Sequence, residues 1–280
     1  MNTPNRPVPR TLLFLPASNP RAIEKARGLD IDMVILDLED AVRDEDKAGA
    51  RTAAVEAAAQ GFGGRLCAIR LNASDSAEHA ADVAAVAASA CDYAVLPKAE
   101  SAGEAARVAA ATGKPLLAMI ETPRGVLAAA AIAATPGVEG LLAGANDLRA
   151  TLHVPSGREG ITLALQTIVL AARAAGIWAF DGVFNALEDA KGLASECRHG
   201  RWLGFDGKSL IHPNQIAVAA QAFGPNSEEI EEARALIDAA TGGAERFRGR
   251  MIESMHVEQA RALLESVDGL ERLDGKQDAG

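Results

Sequence analysis

Three carboxylates crowd into four residues at Asp37-Leu38-Glu39-Asp40, at the end of an apolar run. Single acids or bases follow other apolar runs: Arg70-Leu71-Asn72, Pro97-Lys98, Glu121-Thr122, Asn146-Asp147, Asp181 and Asp206-Gly207-Lys208. Carboxylates gathered in one place repel each other and resist ionisation unless a cation neutralises them. Oxygen donors without His or Cys partners suit a hard ion. Mg²⁺ takes one or two carboxylates and completes its shell with water and substrate oxygens. Glu121 and Asp147, which follow two successive runs, are the most economical ligand pair. Asp37, Glu39 and Asp40 would then hold metal-bound waters or an arginine. Arg70 offers a planar fork for bidentate contact with a substrate carboxylate. A metal and an arginine placed around an α-keto acid would stabilise an enolate or alkoxide.

The competing reading is that loops are polar anyway, with helix caps and rim salt bridges accounting for each residue singly. It accounts less well for the whole set, because a structural rim has no need of so many acids facing one bowl. Other chemistries lack their motifs: there is no G-x-S-x-G elbow, H-E-x-x-H, Walker loop or G-x-G-x-x-G. Lys98 suggests either a Schiff-base lysine or a protonated lysine paired with the nearby acids; the acids favour the second. His212, before Pro213, reads as structural.

These residues need a scaffold that brings strand ends together. Eight short apolar runs are spaced along the chain: Thr11–Pro16, Met33–Leu38, Leu66–Leu71, Tyr93–Pro97, Leu116–Ile120, Gly140–Ala143, Ile177–Phe180 and Trp202–Phe205. They are near-continuous rather than alternating, as strands buried on both faces are. Ala-rich amphipathic stretches separate them. Helix starts are signalled by Asn19-Pro20 and Thr122-Pro123 and by the capping-box pair Ser101 and Glu104. Ile161 to Ala175 reads as a helix closed by Gly176. The alternation predicts a parallel (β/α)₈ TIM barrel over residues 11–225, with an open doubly wound sheet as the alternative. Residues 1–10 form a proline-containing arm. After Pro213 the pattern is helical only, with Glu228–Ala240 and Glu253–Glu265 forming a C-terminal helical extension over 226–280 and the last dozen residues fraying.

Bulk properties narrow the partners. A formal net charge of −10 repels nucleic acid and anionic membrane surfaces, while leaving room for a local anion site. Three well-separated cysteines argue against a disulfide framework or structural zinc. The start of the chain lacks an apolar signal core and no run is long enough to span a bilayer, so a cytoplasmic location is expected.

The motifs together resemble the citrate lyase β-subunit-like family, within the HpcH/HpaI aldolase group. The matching stretches are Leu12-Leu-Phe-Leu-Pro-Ala-Ser-Asn-Pro-Arg-Ala-Ile-Glu-Lys-Ala26, Asp37-Leu-Glu-Asp-Ala-Val42, Ile69-Arg-Leu-Asn72, Leu96-Pro-Lys98, Ile120-Glu-Thr122, Gly144-Ala-Asn-Asp-Leu148 and Gly204-Phe-Asp-Gly-Lys-Ser-Leu-Ile-His-Pro213. The resemblance implies a barrel assembled as a trimer or hexamer, and Mg²⁺ on Glu121 and Asp147 with Arg70 beside the keto acid or oxyanion. It also implies a coenzyme A thioester bound near the first strand–helix junction, with Arg21 and Lys25 as phosphate contacts. The implied reaction is cleavage of a citryl-CoA or malyl-CoA type substrate into acetyl-CoA, or a homologue, and an α-keto acid, or the reverse condensation. One departure concerns the C-terminus. Where many members carry G-x-M-[IV]-D-x-P, whose Asp enters a neighbouring subunit's site as acid/base, this chain has Gly249-Arg-Met-Ile-Glu-Ser-Met255. Glu253 therefore stands in for that Asp, one methylene longer, and a misplacement near one ångström is costly in rate. The expected catalytic residues are Arg70, Glu39, Asp40 and Glu253, with Glu253 or Glu39 moving the proton at the thioester carbon. The alternatives are a class II pyruvate-type aldolase acting on free hydroxy-keto acids and a non-catalytic acyl-CoA-binding subunit.

Overall fold

A computed structural model describes residues 8–155, 157–241 and 243–277. Eight parallel strands close into a barrel in sequence order, with β8 pairing back onto β1. They are β1 (Thr11–Pro16), β2 (Met33–Asp37), β3 (Leu66–Arg70), β4 (Tyr93–Leu96), β5 (Leu116–Ile120), β6 (Val138–Ala143), β7 (Trp178–Asp181) and β8 (Gly207–Leu210). The helices between them are α1 (Pro20–Ala26), α2 (Lys47–Gln60), α3 (His79–Ala88), α4 (Ala102–Thr112), α5 (Pro123–Ala133), α6 (Ala145–Leu152), α7 (Thr162–Ala175) and α8 (Ala190–Leu203), with α9 (Ile216–Phe223) after β8.

Side chains from alternate strand positions divide the core in two. Leu12, Ile35, Val95, Leu117, Met119 and Phe180 belong to a cluster that fills the barrel interior. Their neighbours on the same strands, among them Leu13, Leu36, Leu96, Ala118, Ile120 and Ala179, join the larger layer under the helices. Both faces being apolar explains why the strands read as continuous hydrophobic runs.

The expected caps form. Asn19 and Thr122 accept from the backbone N–H of Ala22 and Gly125, each with proline at the first helical position. Ser101 accepts from Glu104 N, but the Glu104 carboxylate turns to Glu100 N rather than back to Ser101, so only half of the box is made. Gly176 ends α7 in the left-handed conformation.

One strand lies elsewhere than its sequence suggested. Trp202 and Leu203 finish α8, Gly204 (φ 98°) caps it, and the eighth strand is Gly207–Leu210. The apolar run Trp202–Phe205 is thus a helix end and a turn, with Trp202 85% exposed. The true strand carries Lys208, fully buried, whose charge hid it from a search for apolar runs.

The chain divides into two compact units, with the boundary between Phe223 and Gly224. In the second unit, α10 (Ser227–Ala239) and α11 (Ser254–Gln277) flank an antiparallel hairpin of β9 (Glu245–Phe247) and β10 (Arg250–Ile252). The segment after Pro213 is therefore not wholly helical, as the sequence pattern suggested. The alternation of Arg246, Arg248 and Arg250 with Phe247 is strand patterning around a tight turn. Helix α10 opens with a full capping box between Asn226 and Glu229. The expected second helix begins at Ser254 and its backbone runs on to Gln277 rather than fraying from residue 269, while residues 1–7 of the expected arm and 278–280 lie outside the described residues. No helix among the described residues is long and apolar enough to cross a membrane.

Candidate active site

Strand parity selects which charged residues enter the bowl. On β2 the interior positions are 33 and 35, so Asp37 also faces inward; on β3 and β5 the same count delivers Arg70 and Glu121. Asp37 and Arg70 are register partners on adjacent strands. Their side chains meet in a bidentate pair, Arg70 Nε to Asp37 Oδ1 and Nη2 to Oδ2, both 2.7 Å. Asp37 also accepts from the backbone N–H of Glu39 and Ala41, which fixes the turn after β2.

That turn places Glu39 between two cations. Its Oε2 is 2.9 Å from Arg70 Nη1 and its Oε1 accepts from Lys98 Nζ at 2.8 Å. Asp40 is more exposed, 3.6 Å from Arg70 Nη1. Beneath the turn, Lys47 is buried and donates to the carbonyls of Leu38 and Glu39. The Arg70 guanidinium lies over the Phe14 ring, 5.0 Å from its centre. Burial alone would favour the neutral guanidine, but Asp37, Glu39 and Asp40 more than offset it, so the Arg70 pKa rises. Burial pushes the Glu39 carboxyl up, against the lowering pull of Arg70 and Lys98.

Glu121 is a buried carboxylate with a single hydrogen bond among the described residues. It is 2% exposed, and its Oε1 accepts from the Lys98 backbone N–H at 2.6 Å. No hydrogen bond to Oε2 is found among the described residues. Burial is the main force raising its pKa, to about 8; the Lys98 amide opposes it, and the charges of Glu39 and Asp147 push it further up. Glycine is required at position 144 by this close packing: a Cβ there would overlap Glu121 Cβ and sit 2.5 Å from Oε2. Asp147, in the first turn of α6, is half-buried. A buried carboxylate with an unclaimed oxygen, repelled by a second carboxylate, is a donor set that fits a hard cation better than it fits a protein left to itself. Two carboxylates leave the remaining coordination positions to water and substrate oxygen, as Mg²⁺ prefers.

The other sequence candidates divide. Arg21 and Lys25 are exposed on α1, one turn apart at the mouth formed by β1. Glu253 lies in the second unit, exposed, its backbone N–H donating to His256 Nδ1. Lys98, paired with Glu39 and with its pKa raised chiefly by that carboxylate against burial, lacks the lowered pKa a Schiff-base nucleophile needs. His212 caps the turn after β8, its ring accepting from Asn214 N.

Asp181 does not face the bowl. Trp178 and Phe180 occupy the interior positions of β7, so Asp181 points outward under α8. There it binds Arg158 in bidentate fashion at 2.9 and 3.0 Å and Lys208 Nζ at 3.0 Å, while Glu196 accepts from Lys208 at 2.8 Å. Against the cost of burial, the two cations hold the Asp181 carboxyl below the usual range. Asp206 lies just before β8 rather than after it, and pairs with Arg173 at 2.7 Å. Lys47 and the Arg51–Asp82 pair that holds Asn72 behind β3 carry no mark in the sequence pattern, since helix-borne charge usually means a solvated face. Asp82 accepts from Asn72 N and Nδ2 and from Arg51 Nε.

Comparisons with known proteins agree with this architecture. A (3S)-malyl-CoA thioesterase of Cereibacter sphaeroides is 42% identical over 274 residues, covering 93% of this chain and 95% of that protein. A citrate lyase subunit beta-like protein of Mycobacterium tuberculosis is 36% identical over 261 residues, covering 90% and 93%. A crystal structure of the Mycobacterium tuberculosis protein CitE in complex with magnesium, acetoacetate and coenzyme A superposes with a TM-score of 0.82 at 36% identity, covering 93% of this chain and 97% of that one. The model of the HpcH/HpaI aldolase/citrate lyase family matches residues 10–213, from the start of β1 to the turn after β8, and the chain belongs to that family.

Proposed function

We propose that this protein is a Mg²⁺-dependent carbon–carbon lyase acting on a short hydroxyacyl-CoA thioester of the malyl-CoA or citryl-CoA type. The observation that carries the reading is Glu121: a buried carboxylate, its pKa raised to about 8, with Oε2 left for a ligand and Asp147 close enough to oppose its ionisation. The family supports action on CoA thioesters, and the relative solved with magnesium, a keto acid and coenzyme A supports the ligand set. Glu121 and Asp147 would hold Mg²⁺, which supplies Lewis-acid polarisation of the keto-acid oxygens.

The chain's own groups do the rest. Arg70, fixed by Asp37 and Glu39, presents positive charge to the oxygen that becomes the keto-acid carbonyl. Glu39 sits in ion pairs with both Arg70 and Lys98, so in this reading its part is to hold those cations. Proton transfer falls to carboxylates with a free oxygen. Asp40 at the rim takes the substrate hydroxyl proton, and Glu253 of a neighbouring copy returns one to the thioester α-carbon as the bond breaks. Arg21 and Lys25 meet the CoA phosphates. This assignment needs an oligomer, a trimer or hexamer.

The identity to a thioesterase favours a second reading at the same site, in which water attacks the thioester carbonyl and CoA leaves as the thiol. Product analysis with malyl-CoA separates the two. A lyase yields acetyl-CoA and glyoxylate with no free thiol; a thioesterase yields malate and one equivalent of thiol. Either activity must vanish with EDTA and in Glu121→Gln, and turnover that survives both would sink the metal-site proposal. CoA alone should raise the melting temperature, as it would not for an aldolase of free hydroxy-keto acids. Binding of thioesters with no turnover at all would mark a non-catalytic subunit.

A further inference from the structure

Lys98 combines three features that no sequence motif explains together. Its φ is +48°, a left-handed conformation that side-chain-bearing residues avoid. In that conformation its backbone N–H reaches Glu121 Oε1 at 2.6 Å, while its ammonium reaches Glu39 Oε1 at 2.8 Å. The next residue is tied to the floor of the bowl, Ala99 N donating to Met119 O at 3.0 Å. An unfavourable backbone shape persists only where the surroundings hold it, and such residues gather at functional sites.

The geometry points to Lys98 as a positioning residue with two separable parts, its amide setting the rotamer of Glu121 and its ammonium latching Glu39 against Arg70. This rests on the metal-site proposal above. The amide occupies Oε1 and so directs Oε2 to the position where a cation would sit. Were the 98 peptide to relax to negative φ, its N–H would turn away and Glu121 would lose the one hydrogen bond that orients it among the described residues. Cation binding would then have to restore the strained peptide first. The ammonium acts elsewhere: with Arg70 it grips Glu39 by both oxygens, and Glu39 in turn holds Arg70 Nη1. Releasing that grip lets Arg70 move without touching Glu121.

Two substitutions separate the parts, because both remove the same charge and differ in backbone tolerance. Lys98→Gly accepts φ near +48° freely, whereas Lys98→Ala does not. Mg²⁺ affinity, measured by titration calorimetry on the full chain without substrate, should stay within about twofold of wild type or tighten in Lys98→Gly, whose amide is kept. In Lys98→Ala it should be about fivefold or more weaker than in Lys98→Gly, the size of a left-handed penalty. Both should lose kcat through Arg70, with Lys98→Arg recovering part of it at unchanged Mg²⁺ affinity. Equal Mg²⁺ affinities in Lys98→Gly and Lys98→Ala, when Glu121→Gln abolishes binding, overturn the role of the amide and leave the metal site standing. Unchanged kcat in Lys98→Gly overturns the latch. Mg²⁺ binding that Glu121→Gln leaves intact overturns the metal site and this inference with it.

Discussion

Ionising Glu121 inside the bowl works against burial and two neighbouring carboxylates, and that makes the site responsive to pH. Its folded pKa of about 8 stands above the ordinary value near 4.5. The folded chain thus keeps a proton that the unfolded chain releases. That contribution to stability is complete below pH 4.5 and disappears as the pH climbs through about 8. Mg²⁺ competes for the same oxygens, so its apparent affinity should strengthen about tenfold per pH unit and level off once the carboxyl ionises unaided. Thermal shifts with and without Mg²⁺ from pH 5.5 to 9, at roughly unit steps, test this; a shift independent of pH would contradict it. Gly144 offers a second test. Gly144→Ala drives a methyl group into Glu121, so Mg²⁺ affinity should fall at least ~10-fold with circular dichroism unchanged, since the clash falls on one carboxylate rather than on the barrel wall.

At the scale of elements, strand parity decides which polar residue reaches the chemistry and which braces the wall. Asp37, Arg70 and Glu121 were legible because each closes or follows an apolar run, and the structure adds that each lies an even number of residues beyond interior positions of its own strand. The same count on β7 excludes Asp181, whose partners Arg158 and Lys208 come from distant segments that no local pattern joins. The eighth strand was illegible for the same reason: Gly-Lys-Ser-Leu is buried through an ion pair, while the more apolar Trp202–Phe205 caps a helix. Buried pairs resist losing one member. Lys208→Met should cost about 3 kcal/mol in chemical denaturation, because it strands negative charge shared by Asp181 and Glu196. A Lys208→Met protein as stable as wild type would show that Arg158 alone neutralises the cluster. The hairpin β9–β10 was missed because two strands of three residues each, sandwiched between two helices, give too short a period to detect.

For the whole molecule, an acidic chain assembles a compact region of paired charge at one end of its barrel. The fold class was readable from eight regularly spaced runs, since parallel strands buried on both faces leave few other solutions. The expected trimer or hexamer rested on the family resemblance alone, because association depends on outer helix faces that no motif marks. Leu127, Leu163 and Trp202 are each more than four-fifths exposed on α5, α7 and α8, and an oligomer that supplies Glu253 in trans would bury surface of this kind. Mixing inactive Glu121→Gln with inactive Glu253→Gln subunits should then restore part of the activity, each variant contributing the half-site the other lacks. No recovery after subunit exchange, confirmed by native mass spectrometry, would place the proton-transfer group within a single chain.

The ion cluster around Asp181 also bears on how the barrel comes together. Lys208 belongs to the last strand, which pairs with both β7 and β1, and its ammonium meets Asp181 of the strand before it and Glu196 of the helix between. Until that strand docks, Asp181 and Glu196 share Arg158 as their counter-charge, and two acids are balanced by one cation. Ring closure therefore completes the neutralisation of the cluster, with Lys208 supplying its second cation. A nascent chain ending before residue 207 should remain open and protease-sensitive, and the finished barrel should unfold as a single cooperative unit rather than losing its final strand first.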